Sequence, residues 1–139
     1  MKQIQHTLTI ACHSHGFTNF TAEINKLVQE GRIVAGLVNL FVKDVGCSLS
    51  IQESTNKDTL QDMEILITHA APDKHDSHHF LSNESGDAHE QTRMALTNMS
   101  LTIPVQNGRL VLGPWQAICL YEHHSHAKKR RIFFHMIGS

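Results

Sequence analysis

The chain has 139 residues, 12 Lys and Arg against 13 Asp and Glu, 40% hydrophobic and 18% charged residues, and a formal net charge of -1. That length suits one domain, residues 1–139, with a core of its own, and the composition excludes a disordered chain. The balanced charge argues against a broad phosphate-tracking surface for nucleic acid, and no apolar run approaches the ~20 residues of a membrane-spanning helix.

Residues 4–11 alternate, with Ile4, His6, Leu8 and Ile10 on one side, which predicts a strand. Gly16 and Asn19 read as a loop. Thr21 is a candidate N-cap for a helix whose apolar positions are Ile24, Leu27 and Val28, with Gly31 as its C-terminal glycine. Residues 33–42 read as a strand buried on both faces. Residues 48–51 alternate and predict another strand. Helical spacing returns over 58–69 and ends before Pro72.

Residues 73–87 are polar, rich in His and aperiodic, a loop long enough to suggest a functional role. Residues 88–99 predict a helix. The remaining chain predicts strands over 100–105, 109–112, 115–122 and 130–136. Asn107-Gly108 forms a two-residue hairpin turn between the first two. Residues 123–129 read as a polar connection. Six or seven strands and three helices, with antiparallel strands closing the chain, argue an α+β fold.

Cys12, Cys47 and Cys119 are odd in number, far apart and set among apolar or small residues. They read as reduced, buried thiols rather than a disulfide frame or zinc site. Residues 1–6 carry no apolar signal-peptide region, and a cytoplasmic location is the expectation.

Histidine is the unusual residue, with 12 in the chain. His75, His78, His79 and His89 cluster around the long loop and the helix after it, and His123, His124 and His126 near the C-terminus. Imidazoles from two elements can converge on a metal, although none of these spacings is diagnostic. Taken singly, His75, His78, His124 and His126 read first as solvated loop residues. Asp44, Glu53 and Asp62 are carboxylates able to ligate a metal, orient a histidine or act as a base, or simply to face water. Trp115 reads as a core anchor or as an aromatic wall beside a ligand. The run Lys128-Lys129-Arg130-Arg131 reads as a solvated face or a phosphate contact.

The segments in order resemble the YjbQ family of secondary thiamine-phosphate synthase-type proteins over nearly the whole length. The motifs that carry the likeness are residues 100–105, Asn107-Gly108-Arg109-Leu110, Leu112-Gly113-x-Trp115-Gln116, the stretch from Glu122 to Arg131, residues 48–51 followed by Glu53, and Asp62-Met63-Glu64. The resemblance implies an α+β sandwich of mainly antiparallel strands that forms a homotrimer, with a polar, histidine-containing pocket near the subunit interface. It implies an activity that joins a pyrimidine pyrophosphate to a thiazole phosphate and releases pyrophosphate.

Carried onto this sequence, the resemblance marks His89, Glu53 and Gln116 as catalytic, and Trp115 and Arg131 as binding the small phosphorylated ligand. His79, His89 and Asp44 become ligands for a divalent metal such as zinc. The chain departs from the family pattern at Asp44-Val45-Gly46, where the family has a His followed by Thr residues. It departs again at Asn56, Ser77 and Ser85. These changes fall on the polar pocket and leave the scaffold segments in place. One alternative is a non-catalytic trimeric binding or assembly protein; another is a different pocket rebuilt from His75, His78 and His124 for a new substrate. None of these readings involves nucleic acid or a membrane.

Overall fold

The computed structural model describes residues 1–12, 16–53, 61, 62, 65, 66, 69, 97–124 and 128–139. Among them are eight strands and one complete helix, and residues 61, 62, 65, 66 and 69 are also helical. The strands are β1 (Lys2–Cys12), β2 (Gly16–Asn19), β3 (Gly36–Val42), β4 (Cys47–Glu53), β5 (Ser100–Gln106), β6 (Arg109–Leu110), β7 (Gln116–Glu122) and β8 (Lys128–Gly138). Helix α1 spans Thr21–Gly31. Most of the predicted loop over 73–87 and the helix over 88–99 lie outside the described residues.

The strands form two antiparallel sheets, a five-stranded one in the order β1-β8-β3-β5-β6 and a three-stranded one in the order β2-β7-β4. Alternation decides which side chains enter the core. Ile132, Phe134 and Met136 of β8, Val38, Leu40 and Val42 of β3, and Ile103 and Val105 of β5 point inward. They meet Ile118 and Leu120 of β7, Leu49 of β4, and Ile24 and Val28 of α1 in one cluster.

The other face of the large sheet carries exposed apolar side chains. Leu37 and Phe41 are 46% and 48% exposed. They sit in register with Ile137 and Phe133, which are half-buried. The strand expected to be buried on both faces is thus buried on one. Its apolar run covers both the core side and a solvent-facing row.

Four local expectations change. Residues 16–19 form a strand rather than a loop, pairing with β7 so that Phe17 faces Tyr121 in register. The residue before α1 is Phe20, which supplies no side-chain cap. Thr21 is the first helical residue, and the capping oxygen is Asn19 Oδ1, which accepts from Thr21 N at 3.0 Å and from Thr21 Oγ1 at 2.7 Å. At the far end of α1 the left-handed residue is Arg32, with φ 52°. Gly31 serves packing instead, because a Cβ there would strike Met136 and Ile4. The helix predicted to run to Met99 does not reach it, since Leu49 N donates to Asn98 O at 2.7 Å and Val42 N to Met99 O at 2.9 Å. The Asn107-Gly108 turn forms as expected, with φ 54° and 73° at its two residues.

Candidate functional site

The small sheet has two ends with opposite characters. Register places Cys47 beside Glu122 at one end and Glu53 beside Gln116 at the other. Six residue steps along the strand separate them, about 20 Å at ~3.3 Å per residue.

At the first end the polar groups are pulled inside. Period two along β7 makes Glu122 an inward position after Ile118 and Leu120. The same period along β8 makes Arg130 inward ahead of Ile132 and Phe134. The two side chains meet between the sheets with 0% and 8% exposure. Arg130 Nε donates to Glu122 Oε1 at 2.7 Å and Nη2 to Oε2 at 2.6 Å, a bidentate pair. Arg130 Nη1 also donates to Val45 O at 2.9 Å, and the backbone N–H of His124 donates to Glu122 Oε2 at 3.1 Å. Hydrogen bonding to Glu122 raises the Arg130 pKa against the effect of burial.

The basic run 128–131 is therefore not a uniformly solvated face. Arg130 enters the core and Arg131, one residue on, points out. Arg131 is 55% exposed and is held by Asp44. Its Nη2 donates to Asp44 Oδ1 at 2.9 Å and its backbone N–H to Oδ2 at 2.6 Å. These bonds, the side-chain one first, hold the Asp44 carboxyl below its ordinary range although partial burial opposes them. The 44–46 segment is thus stitched to β8 twice, through Asp44 to Arg131 and through Val45 O to Arg130. Gly46 turns it with φ 96°, which favours glycine, and its carbonyl accepts from His123 N at 2.9 Å.

His123, expected in a polar connection, is 1% exposed. Its Nε2 lies 2.8 Å from Ser48 Oγ, and its ring meets Tyr121 edge-on at 4.6 Å between centroids. Cys12 and Cys47 lie near the buried ion pair. Burial pushes their thiols up to about 11 and about 12, and pushes Cys119 up to about 11. All three are free and buried, in keeping with the reduced thiols expected.

At the second end the polar groups are displayed. Trp115 is 61% exposed, which removes the core-anchor reading. It sits in a tight turn closed by Gln116 N donating to Gly113 O at 3.1 Å, while Gly113 N donates back to Gln116 Oε1 at 2.7 Å. Glu53 is exposed and directly across the ladder from Gln116.

The sequence-derived residues thus fall into two groups. Asp44 and Arg131 are brought together, as are Glu53, Gln116 and Trp115, and the two groups stand at opposite ends of the sheet. His75, His78, His79, His89 and His126 lie outside the described residues. His124 is half-buried beside Glu122. Among the described residues no group of three or more His, Cys, Asp or Glu is placed to hold a metal ion. Asp44 is the one described member of the set His79–His89–Asp44, and its carboxylate is already neutralised by Arg131. The described donors therefore do not fit a metal at Asp44.

The Glu122–Arg130 pair and the Ser48–His123 contact escaped the sequence reading. The signal for the first was present: a carboxylate and a guanidinium each occupying an inward slot of an alternating strand.

Comparison with known proteins agrees with this fold. Residues 6–139 match the family model described as UPF0047 protein YjbQ-like. The chain is 34% identical over 137 residues to the UPF0047 protein sll1880 of Synechocystis, covering 99% of this chain and 93% of that one. It is 33% identical to the UPF0047 protein YjbQ of Escherichia coli O157:H7, covering 96% of this chain and 97% of that one. Among solved structures, an uncharacterized conserved protein of the yjbq/upf0047 family from Clostridium acetobutylicum superposes with a TM-score of 0.82 at 25% identity, over 96% of this chain and 99% of that one. A hypothetical protein from Aeropyrum pernix K1 shares the fold with a TM-score of 0.86 at 19% identity, over 98% of this chain and 99% of that one. The chain belongs to the YjbQ-like UPF0047 family.

Proposed function

We propose that this protein binds a phosphorylated small molecule through Arg131 and carries out a transfer of the thiamine-phosphate synthase type, with pyrophosphate as the leaving group. The observation that carries the reading is the Arg131 guanidinium, half in solvent and oriented by Asp44 Oδ1, which accepts from both its Nε and its Nη2. A guanidinium fixed in this way is suited to clamp a phosphate, and its charge stabilises a departing pyrophosphate. Lys129 lies on the same face of β8, and Lys43 adjoins through its N–H to Arg131 O at 3.1 Å.

In this reading His89, when no metal is bound to it, is the acid–base group, and Glu53, Gln116 and Trp115 complete the site from a neighbouring copy. Asp44, which holds Arg131, adjoins Cys47, and the about 20 Å of strand from Cys47 to Glu53 is too long for one small substrate to span within one chain. Association into a homotrimer belongs to the same proposal. It is supported by the uncovered outer row of Leu37, Phe41, Phe133 and Ile137 on the five-stranded sheet.

The test is pyrophosphate release from the two phosphorylated precursors, with sedimentation in parallel. Arg131→Gln should lower kcat/KM roughly tenfold to a hundredfold with the fold intact. Mixing Arg131→Gln with Gln116→Ala protomers should restore part of the turnover if the site is shared. No release at high protein concentration would overturn the transfer reading and favour the non-catalytic assembly reading. A monomer at micromolar concentration would overturn the shared site. A divalent metal such as zinc on His79 and His89 is tested by metal analysis of tag-free protein beside the His79→Ala/His89→Ala double variant. Stoichiometric metal lost in that variant would establish it.

A further inference from the structure

Helix α1 lies against β6 and β7, and its two faces differ. Ile24 and Val28 are buried in the core. Thr21, Asn25 and Gln29, spaced i, i+4, i+8, share another face. That face, β6 and the 113–116 turn enclose a groove of about 380 Å³. Its walls include Thr21, Asn25, Gln29, Arg109, Leu110 and Leu112, with Gln116 at one end.

Three properties of this groove point to a ligand class. No carboxylate lines it, and Arg109 gives it one positive charge. The side chains of Arg109, Asn25 and Gln29 make no hydrogen bond or ion pair with any other described residue, so their donors are available. Gln116 has its oxygen occupied by Gly113 N, which leaves its amide N–H groups as donors. Leu110 and Leu112 supply an apolar wall beside these donors.

We propose that the groove is a second ligand site, taking a small organic oxyanion (a phosphate monoester or a carboxylate) whose apolar body lies on Leu110 and Leu112. Arg109 holds the anion by charge-assisted hydrogen bonds, and the carboxamides of Asn25 and Gln29 take its remaining polar atoms. The site shares Gln116 with the site proposed above, but its anion is held by Arg109 rather than by Arg131, so it does not depend on the transfer reading.

Trp115 provides the readout. It is the only tryptophan of the chain, is 61% exposed, and adjoins Gln116 of the groove. The experiment titrates the protein with phenyl phosphate, benzoate, inorganic phosphate and phenol, following Trp115 emission and repeating each titration by calorimetry. Phenyl phosphate or benzoate should bind saturably and more tightly than inorganic phosphate or phenol. The stronger of the two names the anion. Arg109→Gln should weaken that binding roughly ten- to a hundredfold, Arg109→Lys should recover part of it, and Arg131→Gln should leave it unchanged. The proposal is overturned if no probe binds by calorimetry up to ~10 mM, a range that covers even weak small-ligand sites. It is also overturned if Arg109→Gln binds like the wild type, or if Arg131→Gln abolishes binding.

Discussion

The two ends of the three-stranded sheet solve the same problem in opposite ways. At the Cys47–Glu122 end, charged groups enter the protein and each finds a partner. Glu122 meets Arg130, and the guanidinium also ties down Val45 O. At the Glu53–Gln116 end, polar and aromatic groups stay outside, and the 113–116 turn holds Trp115 in solvent. Burying a charge is tolerated only with a partner, so the first end is rigid by necessity. The second end has no such constraint, and its side chains are available to something else. Within one strand, β7, the chain thus passes from a displayed carboxamide to a locked carboxylate.

Substitutions measure how deep this difference runs. Glu122→Ala strips the buried Arg130 of its counter-charge and should destabilise the protein by about 3–5 kcal/mol, read from the urea midpoint. A loss under about 1 kcal/mol would show that water reaches the pair and that the two ends are alike. Ser48→Ala removes the 2.8 Å contact to buried His123. It should cost about 1–3 kcal/mol. Asp44→Asn acts mainly through pH. Since Arg131 lowers the folded pKa of Asp44 below its ordinary 3.8, the pair stabilises the fold above that value, and the gain is lost as pH falls through the lowered one. Acid unfolding of the wild type should therefore steepen below about pH 4, and Asp44→Asn should lack that part of the slope. Trp115→Ala, at the displayed end, should change stability by no more than about 0.5 kcal/mol. A larger loss would mean that the turn is part of the packed structure.

Much of the framework was legible because local chemistry and tertiary packing agree there. Asn107-Gly108 predicts its hairpin, since both residues accept positive φ. The alternation of residues 4–11 and 100–105 predicts strands because one face of each meets the core. The short strand β2 was hidden by its four-residue length and by Gly16, which reads locally as a breaker. Arg32 takes the left-handed position expected of Gly31, while Met136 and Ile4 claim the space beside that glycine. Such a claim comes from residues far away in sequence. The same holds at the site. Asp44 and Arg131 are both readable as functional residues, but their contact spans 87 positions and depends on the pairing of β3 with β8. The histidine-rich stretch has no period at all, and periodicity was the only local signal available there.

The order of strands in the large sheet bears on how the chain is made. Strand β8 lies between β1 and β3, pairing with Lys2–Cys12 on one side and with Gly36–Val42 on the other. Its crossing with β3 is so close at Gly36 and Gly138 that a Cβ on either would strike the other strand's backbone. During synthesis β1 and β3 emerge first and must wait, each with an unpaired edge, for the last of the described strands to come between them. Closing that gap joins β8 to β1 across more than a hundred residues and to β3 across ninety or more, a step of high contact order, and folding of this sheet is expected to be late and slow. The nascent chain exposes those two edges to neighbouring chains until β8 leaves the ribosome.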